Sequence, residues 1–374
     1  MGKERNKYLK TLPKQITYEP VSSVQIGDLK IGTDHPAFII AEVGANHRGD
    51  IKNAFKLIDS AKAAGADAVK FQHLTHNKIA APVDVFDSWN GKPVGKLSDF
   101  YRSAEIPYEW TGKLISYAKK KKILFLSTPF DKVAVDILDK NGVEGFKVAS
   151  YELTDDILLS HIAKKGKPVI ISTGMADLEE IAHAIKVIIG ENNQKIIILH
   201  CSSMYPPKFE YLNLKAITAL KEAFKLPIGY SDHTEPGSLA APIAAVTLGA
   251  CVIEKHITDD REGESNDDAN SVDIEGFRNF VKEVKNTQLA LKGTGIKQPI
   301  ELVGHKNDEV FERWARRSIY ASRDLEIGEI INDSNIITLR PWGGIEPKYF
   351  ELYRGKKLKK PIKQNGPLTD AHFF

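Results

Sequence analysis

Pro227-Ile228-Gly229-Tyr230-Ser231-Asp232-His233 and, one short stretch later, Ala250-Cys251-Val252-Ile253-Glu254-Lys255-His256 decide how this chain is read. Each is a brief apolar run that ends in charged residues and a histidine. Between them, residues 238–248 carry a helical pattern. A strand–helix–strand unit whose strands are nearly continuous in apolar character points to parallel strands covered on both faces. Parallel strands of one sheet present their C-terminal ends to the same side. His233 and His256 therefore share a rim, where two imidazoles can converge on a divalent metal.

The same rhythm extends outward from about residue 37 to 292. Predicted strands are 37–43, 66–72, 123–128, 145–149, 168–172 and 195–200, followed by the two quoted runs. Predicted helices are 51–64, 108–121, 132–140, 156–164, 177–189, 213–224, 238–248 and 275–292, with a longer excursion from His73 to about Pro107. Eight strands alternating with helices is the count of an α/β (β/α)8 barrel. A doubly wound dinucleotide fold would ask for G-x-G-x-x-G after the first strand. The turn here is Gly44-Ala45-Asn46-His47-Arg48-Gly49, which lacks that spacing.

The barrel domain is expected over 36–292, after an extension, 1–35, in which Val24 to Gly32 reads as a hairpin placed to cover the barrel's bottom. Residues 293–315 read as a linker, with Gly293, Gly295, Pro299 and Gly304. Residues 316–374 read as a compact, mostly β module with strands near 318–322 and 336–339.

Composition narrows the function classes. The 374 residues are 42% hydrophobic, and 52 basic against 49 acidic residues leave a net charge of +3, which argues against bulk nucleic-acid binding. Lys119-Lys120-Lys121-Lys122 is read as a solvated helix end, where cations suit the helix C-terminus. Two cysteines, Cys201 and Cys251, without a CxxC motif fit a reduced, cytoplasmic protein. The polar, basic stretch 1–14 shows no secretory h-region, and no window approaches a membrane span of roughly 18 apolar residues.

Active sites of such barrels sit at the C-terminal strand ends. Here those ends carry Glu42 and Asn46; Lys70 and Gln72; Ser127 and Thr128; Lys147, Ser150 and Glu152; Ser172 and Thr173; His200, Ser202, Ser203 and Tyr205; Asp232 and His233; Glu254 and His256. Lys70 and Lys147 offer point cations to a phosphate or carboxylate. Ser127, Thr128, Ser150, Ser172, Thr173 and Ser203 add hydroxyl donors. Glu42 and Asp267 can complete coordination or move protons. His47 and His73 read as readily as loop histidines bonded to backbone as substrate contacts. His35 and His372 read as surface residues.

Taken together, the motifs resemble the sialic acid synthase family, the phosphoenolpyruvate-dependent nonulosonate synthases. The resemblance lies in Ile40-Ala41-Glu42-Val43-Gly44-Ala45-Asn46-His47, Gly65 to Gln72, Phe125-Leu126-Ser127-Thr128-Pro129-Phe130, Phe146-Lys147-Val148-Ala149-Ser150 and Ile171-Ser172-Thr173-Gly174-Met175. It continues through His200 to Pro206, Tyr230 to Thr234 and Ile253 to His256. Arg317-Ser318-Ile319-Tyr320-Ala321, Gly328-Glu329-Ile330 and Leu339-Arg340-Pro341 resemble the antifreeze-like (SAF) module of the same enzymes.

The resemblance implies condensation of phosphoenolpyruvate with the aldehyde of an N-acylated hexosamine, N-acetylmannosamine or a deoxy, diacylamino hexose, to a nine-carbon 3-deoxy-2-ulosonic acid and phosphate. It implies a divalent metal on His233 and His256, Mn2+ ahead of Mg2+ or Co2+. Lys70, Lys147, Thr128, Ser150, Ser172 and Ser203 would hold phosphoenolpyruvate. Glu42, Gln72, Tyr205, Glu254 and Asp267 would surround sugar, metal and water, with Glu42, Lys70, Lys147 and Glu254 as the catalytic set. It further implies a domain-swapped homodimer in which Arg340 reaches the partner's sugar. Two departures bear on the acceptor. Ser150-Tyr151-Glu152 replaces the usual Ser-Gly-Glu and is closer to pseudaminic acid synthases, and Asp268 stands where a Gly-Pro-Asp-His pattern has histidine. The rival readings are a metal-dependent aldolase using free pyruvate and a non-catalytic saccharide- or ice-binding protein.

Overall fold

The computed structural model describes residues 21–89, 92–293 and 313–374. They fall into two compact units that divide between Lys292 and Gly293. In the first, eight strands pair in parallel and in chain order: β1 (Phe38–Gly44), β2 (Ala68–His73), β3 (Leu124–Pro129), β4 (Gly145–Val148), β5 (Val169–Ser172), β6 (Ile196–Cys201), β7 (Ile228–Asp232) and β8 (Val252–Thr258). β8 also pairs with β1, His256 opposite Glu42, and this closes the expected barrel.

Successive side chains on a strand point to opposite faces. One set, including Ile39, Ala41, Val69, Phe71, Ile171, Ile198 and Ile253, packs outward against the helices. The alternate set, including Phe38, Ile40, Ala68, Leu126, Ile170, Leu199 and Val252, fills the interior. Val24, Ile26 and Ile31 belong to that same interior cluster. They come from the antiparallel hairpin Ser23–Ile26 with Leu29–Gly32, whose apolar side chains pack into the barrel bottom. Among the described residues, apolar side chains thus fill the bottom of the barrel, and polar side chains gather at the C-terminal rim.

Turns at that rim are pinned by aspartates that cap the following helices. Asp50, Asp131 and Asp177 accept from the backbone N–H of Lys52, Ala134 and Glu180, and Asp155 accepts from Ile157 and Leu158. The excursion after β2 contains an antiparallel hairpin, Asp84–Trp89 with Lys92–Lys96, and a short helix, Leu97–Arg102. No sequence pattern announced them, because the hairpin is mostly exposed and buries no regular alternating face.

The second unit is built on β9 (Ser318–Ala321) and β10 (Ile336–Leu339), antiparallel, over a core of Ile319, Leu325, Ile331, Leu358, Ile362, Leu368 and Phe373. Of the expected extension, residues 1–20 lie outside the described residues, as do 294–312 of the expected linker.

Candidate active site

Above the apolar interior layer, the inward positions of the strands turn polar. Glu42, Lys70, Lys147 and Glu254, drawn from β1, β2, β4 and β8, meet there, all buried. Lys147 Nζ lies 3.0 Å from Glu254 Oε1, and Lys70 Nζ lies 3.4 Å from the same oxygen and 3.0 Å from Glu42 Oε2. Lys70 also donates to Thr128 Oγ1, Gln72 donates to Glu42, and Ser231 donates to Glu254.

Burial would raise both carboxylates; the ion pairs decide how far. Glu254, held between two ammonium groups, is driven down to about 2 despite its burial. Glu42 has less compensation: burial outweighs Lys70 and lifts it to about 7. Near neutral pH the cluster therefore holds two lysines, one firmly ionised carboxylate and one partly protonated carboxylate. Burial lowers Lys147 from the usual lysine range, while Glu254 and Glu42 raise Lys70 against its burial. The two amines and the hydroxyls beside them are a donor set that suits an anion.

Beside Lys147, three hydroxyls form a cradle. Gly174, just past β5, donates its N–H to Ser150 Oγ at 3.0 Å. A Cβ at Gly174 would come within 2.0 Å of Ser203 Oγ and 2.9 Å of Ser150 Oγ, so only glycine lets these groups converge. Ser172 Oγ is buried without a hydrogen-bond partner. Unpaired buried hydroxyls are costly, and a ligand oxygen would satisfy this one. Four of the expected substrate residues, Lys147, Ser150, Ser172 and Ser203, thus come from β4, β5 and the loop after β6 onto one side of the rim.

The two histidines do converge. Their ring centroids are 5.5 Å apart. His233 Nδ1 donates to the Ser202 carbonyl at 3.0 Å, which leaves Nε2 as the ring nitrogen available to another partner. His256 Nδ1 is buried without a hydrogen-bond partner, 4.0 Å from Asp267 Oδ2. Burial holds His256 below the usual histidine range, so its ring is neutral, as a metal ligand must be. Two imidazoles, His256 with a buried, unpartnered Nδ1 and His233 with its Nδ1 committed to a carbonyl, fit a divalent ion that keeps open positions. Among the described residues no group of three or more His, Cys, Asp or Glu side chains is arranged to hold a metal ion. Tyr205 closes this side, its ring 4.1 Å from His233 and 6.1 Å from His256.

Asp267 is placed by backbone. Its Oδ2 accepts the Ala45 N–H at 2.9 Å, and a Cβ on Gly44, which has φ of +52°, would strike that oxygen at 2.2 Å. The loop carrying it is anchored by Arg48, which grips Asp268 through two nitrogens at 2.9 and 2.7 Å and reaches Asp259 at 2.9 Å. Asp268, the residue that departs from the family pattern, is fully buried in this clamp, with Thr258 and Ser265 also on it.

Several strand-end residues lie elsewhere. Ser127 and His73 hydrogen-bond each other, and His73 also meets Thr111; burial depresses this histidine to about 3. His200 bonds the Leu212 carbonyl, and Asp232 pairs with Lys255. Thr173 bonds the Leu199 carbonyl, and His47 accepts the Gly49 N–H. Ser127, His200 and Asp232 occupy the outward parity of their strands. The inward parity instead brings in Ser231 and Cys201, the latter 3.6 Å from His233 Nδ1. Counting back by two from His233 would have picked out Ser231. Arg340 follows β10 in the second unit and is exposed.

The NeuB family matches residues 57–297, and the SAF domain matches residues 316–373. An uncharacterized protein of Methanocaldococcus jannaschii is 42% identical over 92% of this chain and 97% of its own length. A pseudaminic acid synthase of Campylobacter jejuni is 38% identical over 94% of this chain and all of its own. A solved structure of an N-acetylneuraminic acid (sialic acid) synthetase from Leptospira borgpetersenii superposes with a TM-score of 0.67 at 33% identity, covering 78% of this chain and 96% of that one.

Proposed function

This chain belongs to the NeuB family, and we propose that it condenses phosphoenolpyruvate with the open-chain aldehyde of an N-acylated hexosamine, releasing phosphate and a nine-carbon 3-deoxy-2-ulosonic acid. The observation that carries the reading is the split of the rim into two halves. One half, with Lys70, Lys147 and the Ser150–Ser172–Ser203 cradle, suits a small dianionic phosphate ester. The other, with His233, His256, Asp267 and Tyr205, suits a cation and a polyhydroxy aldehyde.

Each group then has a task. Lys70 and Lys147 neutralise the phosphate and carboxylate of phosphoenolpyruvate in a fixed, water-poor frame. The cradle hydroxyls and the Gly174 backbone orient the phosphate oxygens. Thr128 and Gln72 hold Lys70 and Glu42 in place. Glu254 stays ionised and steadies the cation that develops at carbon 2 as carbon 3 attacks the aldehyde. Glu42, whose pKa of about 7 lies near the working range, takes the proton of the water that adds at carbon 2. A divalent ion, Mn2+ by preference, held by His233 and His256, would supply Lewis acidity toward the aldehyde. Arg340 of a partner subunit completes the sugar side in a homodimer. No described helix is long and apolar enough to cross a membrane, and both cysteines are buried and free. We place the reaction in the cytoplasm.

Mass spectrometry of products from phosphoenolpyruvate and a hexosamine panel with Mn2+ tests the proposal. A product equal to hexosamine plus three carbons, formed with phosphate release, is expected. Turnover with free pyruvate but not phosphoenolpyruvate would establish the aldolase instead, and sugar binding without turnover would make the chain a saccharide-binding protein.

A further inference from the structure

Trp89 is carried to the rim by an element that the barrel does not need. The hairpin Asp84–Trp89 with Lys92–Lys96 contributes nothing to the main core, yet its tryptophan lies 5.3 Å from Tyr205 and 6.1 Å from Phe100, ring centre to ring centre. Tyr205 in turn lies against His233 at 4.1 Å. The indole N–H donates to the Asn266 carbonyl at 2.8 Å, and Asn266 Nδ2 donates to the Phe100 carbonyl at 3.0 Å. The one polar edge of the indole is thereby spent on the loop that bears Asp267. The rest of the ring, packed beside Tyr205 at the rim, is hydrocarbon.

Most of the other site residues described at the rim are polar. A sugar's hydroxyl groups are poorly served by an aromatic wall, since each would lose water without gaining a partner. Such a wall is matched by a substituent that ends in a methyl group. On the reading that the barrel binds an acceptor sugar, we propose that Trp89, acting with Tyr205, is a specificity-determining residue that selects acceptors bearing a methyl-terminated substituent. The two sources of such a methyl are an N-acyl group and a deoxygenated carbon 6. Trp89 also packs against the Tyr205 ring, so its influence would reach the sugar both directly and through that neighbour.

The test compares wild type, Trp89→Ala and Trp89→Phe with three acceptors: N-acetylmannosamine, its 6-deoxy analogue and its N-formyl analogue. One pair varies the carbon 6 methyl and the other the acyl methyl. In Trp89→Ala the ratio of kcat/KM for the methylated over the unmethylated partner is expected to collapse by about 10-fold or more in one pair, the scale of a methyl in an apolar pocket. The KM for phosphoenolpyruvate should not move, and Trp89→Phe should restore most of the ratio. Unchanged ratios in both pairs, or an equal loss for all three sugars as ring stacking alone would give, overturn the proposal. Tryptophan fluorescence titrations with the same sugars and Mn2+, without phosphoenolpyruvate, separate this from the proposed reaction. Binding with a methyl-dependent affinity but no turnover would remove the synthase reading and keep Trp89. Neither binding nor turnover would remove both.

Discussion

Glu254 makes hydrogen-bonding distance to Lys147, sits 3.4 Å from Lys70 and accepts from Ser231, all without exposure to bulk water. Breaking a buried pair strands a charge, whereas replacing both partners need not. Lys147→Met should therefore destabilise the protein by about 3 kcal/mol in urea unfolding, and Lys147→Met with Glu254→Met should recover much of that loss. The single variant should also raise the KM for phosphoenolpyruvate about 10-fold or more, the worth of one charge-assisted contact. At His256 the expectation differs. The ring is buried, but its Nδ1 has no partner to lose. His256→Ala should abolish turnover and Mn2+ binding by calorimetry while leaving the circular dichroism spectrum intact. Retained activity would count heavily against this site.

The turn after β4 shows how an element can carry a pH dependence. Ser150–Glu152 forms one 3-10 turn, Ser150 joins the cradle, and Glu152 is folded inward with Oε2 unpartnered. Burial raises its carboxyl from 4.5 to about 7. The folded state thus holds this proton more tightly than the unfolded state does. By linkage, stability from this group is greatest below pH 4.5 and is lost as pH rises through 7, by at most about 3 kcal/mol. Glu152→Gln should flatten that component, read as a smaller fall in the urea midpoint between pH 5 and 8 than wild type shows. An unchanged profile would mean that Glu152 is already ionised in the fold.

Across the whole molecule, the barrel separates a stability face from a chemistry face. Ile26 is fully buried in the plug at the bottom, the end opposite Glu42 and His256. Ile26→Ala should cost about 2–5 kcal/mol, the usual penalty for a core truncation, and leave kcat/KM of the folded enzyme within about 2-fold. A large kinetic loss would show that the two ends are coupled. Arg340, exposed in the second unit, belongs to the proposed assembly rather than to the barrel's own stability. Arg340→Ala should mainly raise the acceptor's KM, with an unchanged melting temperature. An unchanged KM would mean that this module does not touch the sugar.

Strand and helix positions around the barrel were readable from the residues alone, because parallel strands buried on both faces must be short apolar runs and their helices must be amphipathic. The helix over 51–64 and the helix over 132–140 emerge with the bounds that periodicity predicts. The convergence of His233 with His256 also follows from local order, since adjacent parallel strands carry their ends to one rim. Parity did not survive so simply. Ser127, His200 and Asp232 look like site residues in a list of strand ends, and a one-residue difference turns them to the helix layer while Ser231 and Cys201 turn inward. The hairpin that bears Trp89 left no trace in the pattern, because its strands bury no regular face. Glu254 near 2 and Glu42 near 7 are the same chemical group in the sequence. Only the packed barrel, by setting how many ammonium groups reach each carboxylate away from water, makes one a fixed charge and the other a proton acceptor.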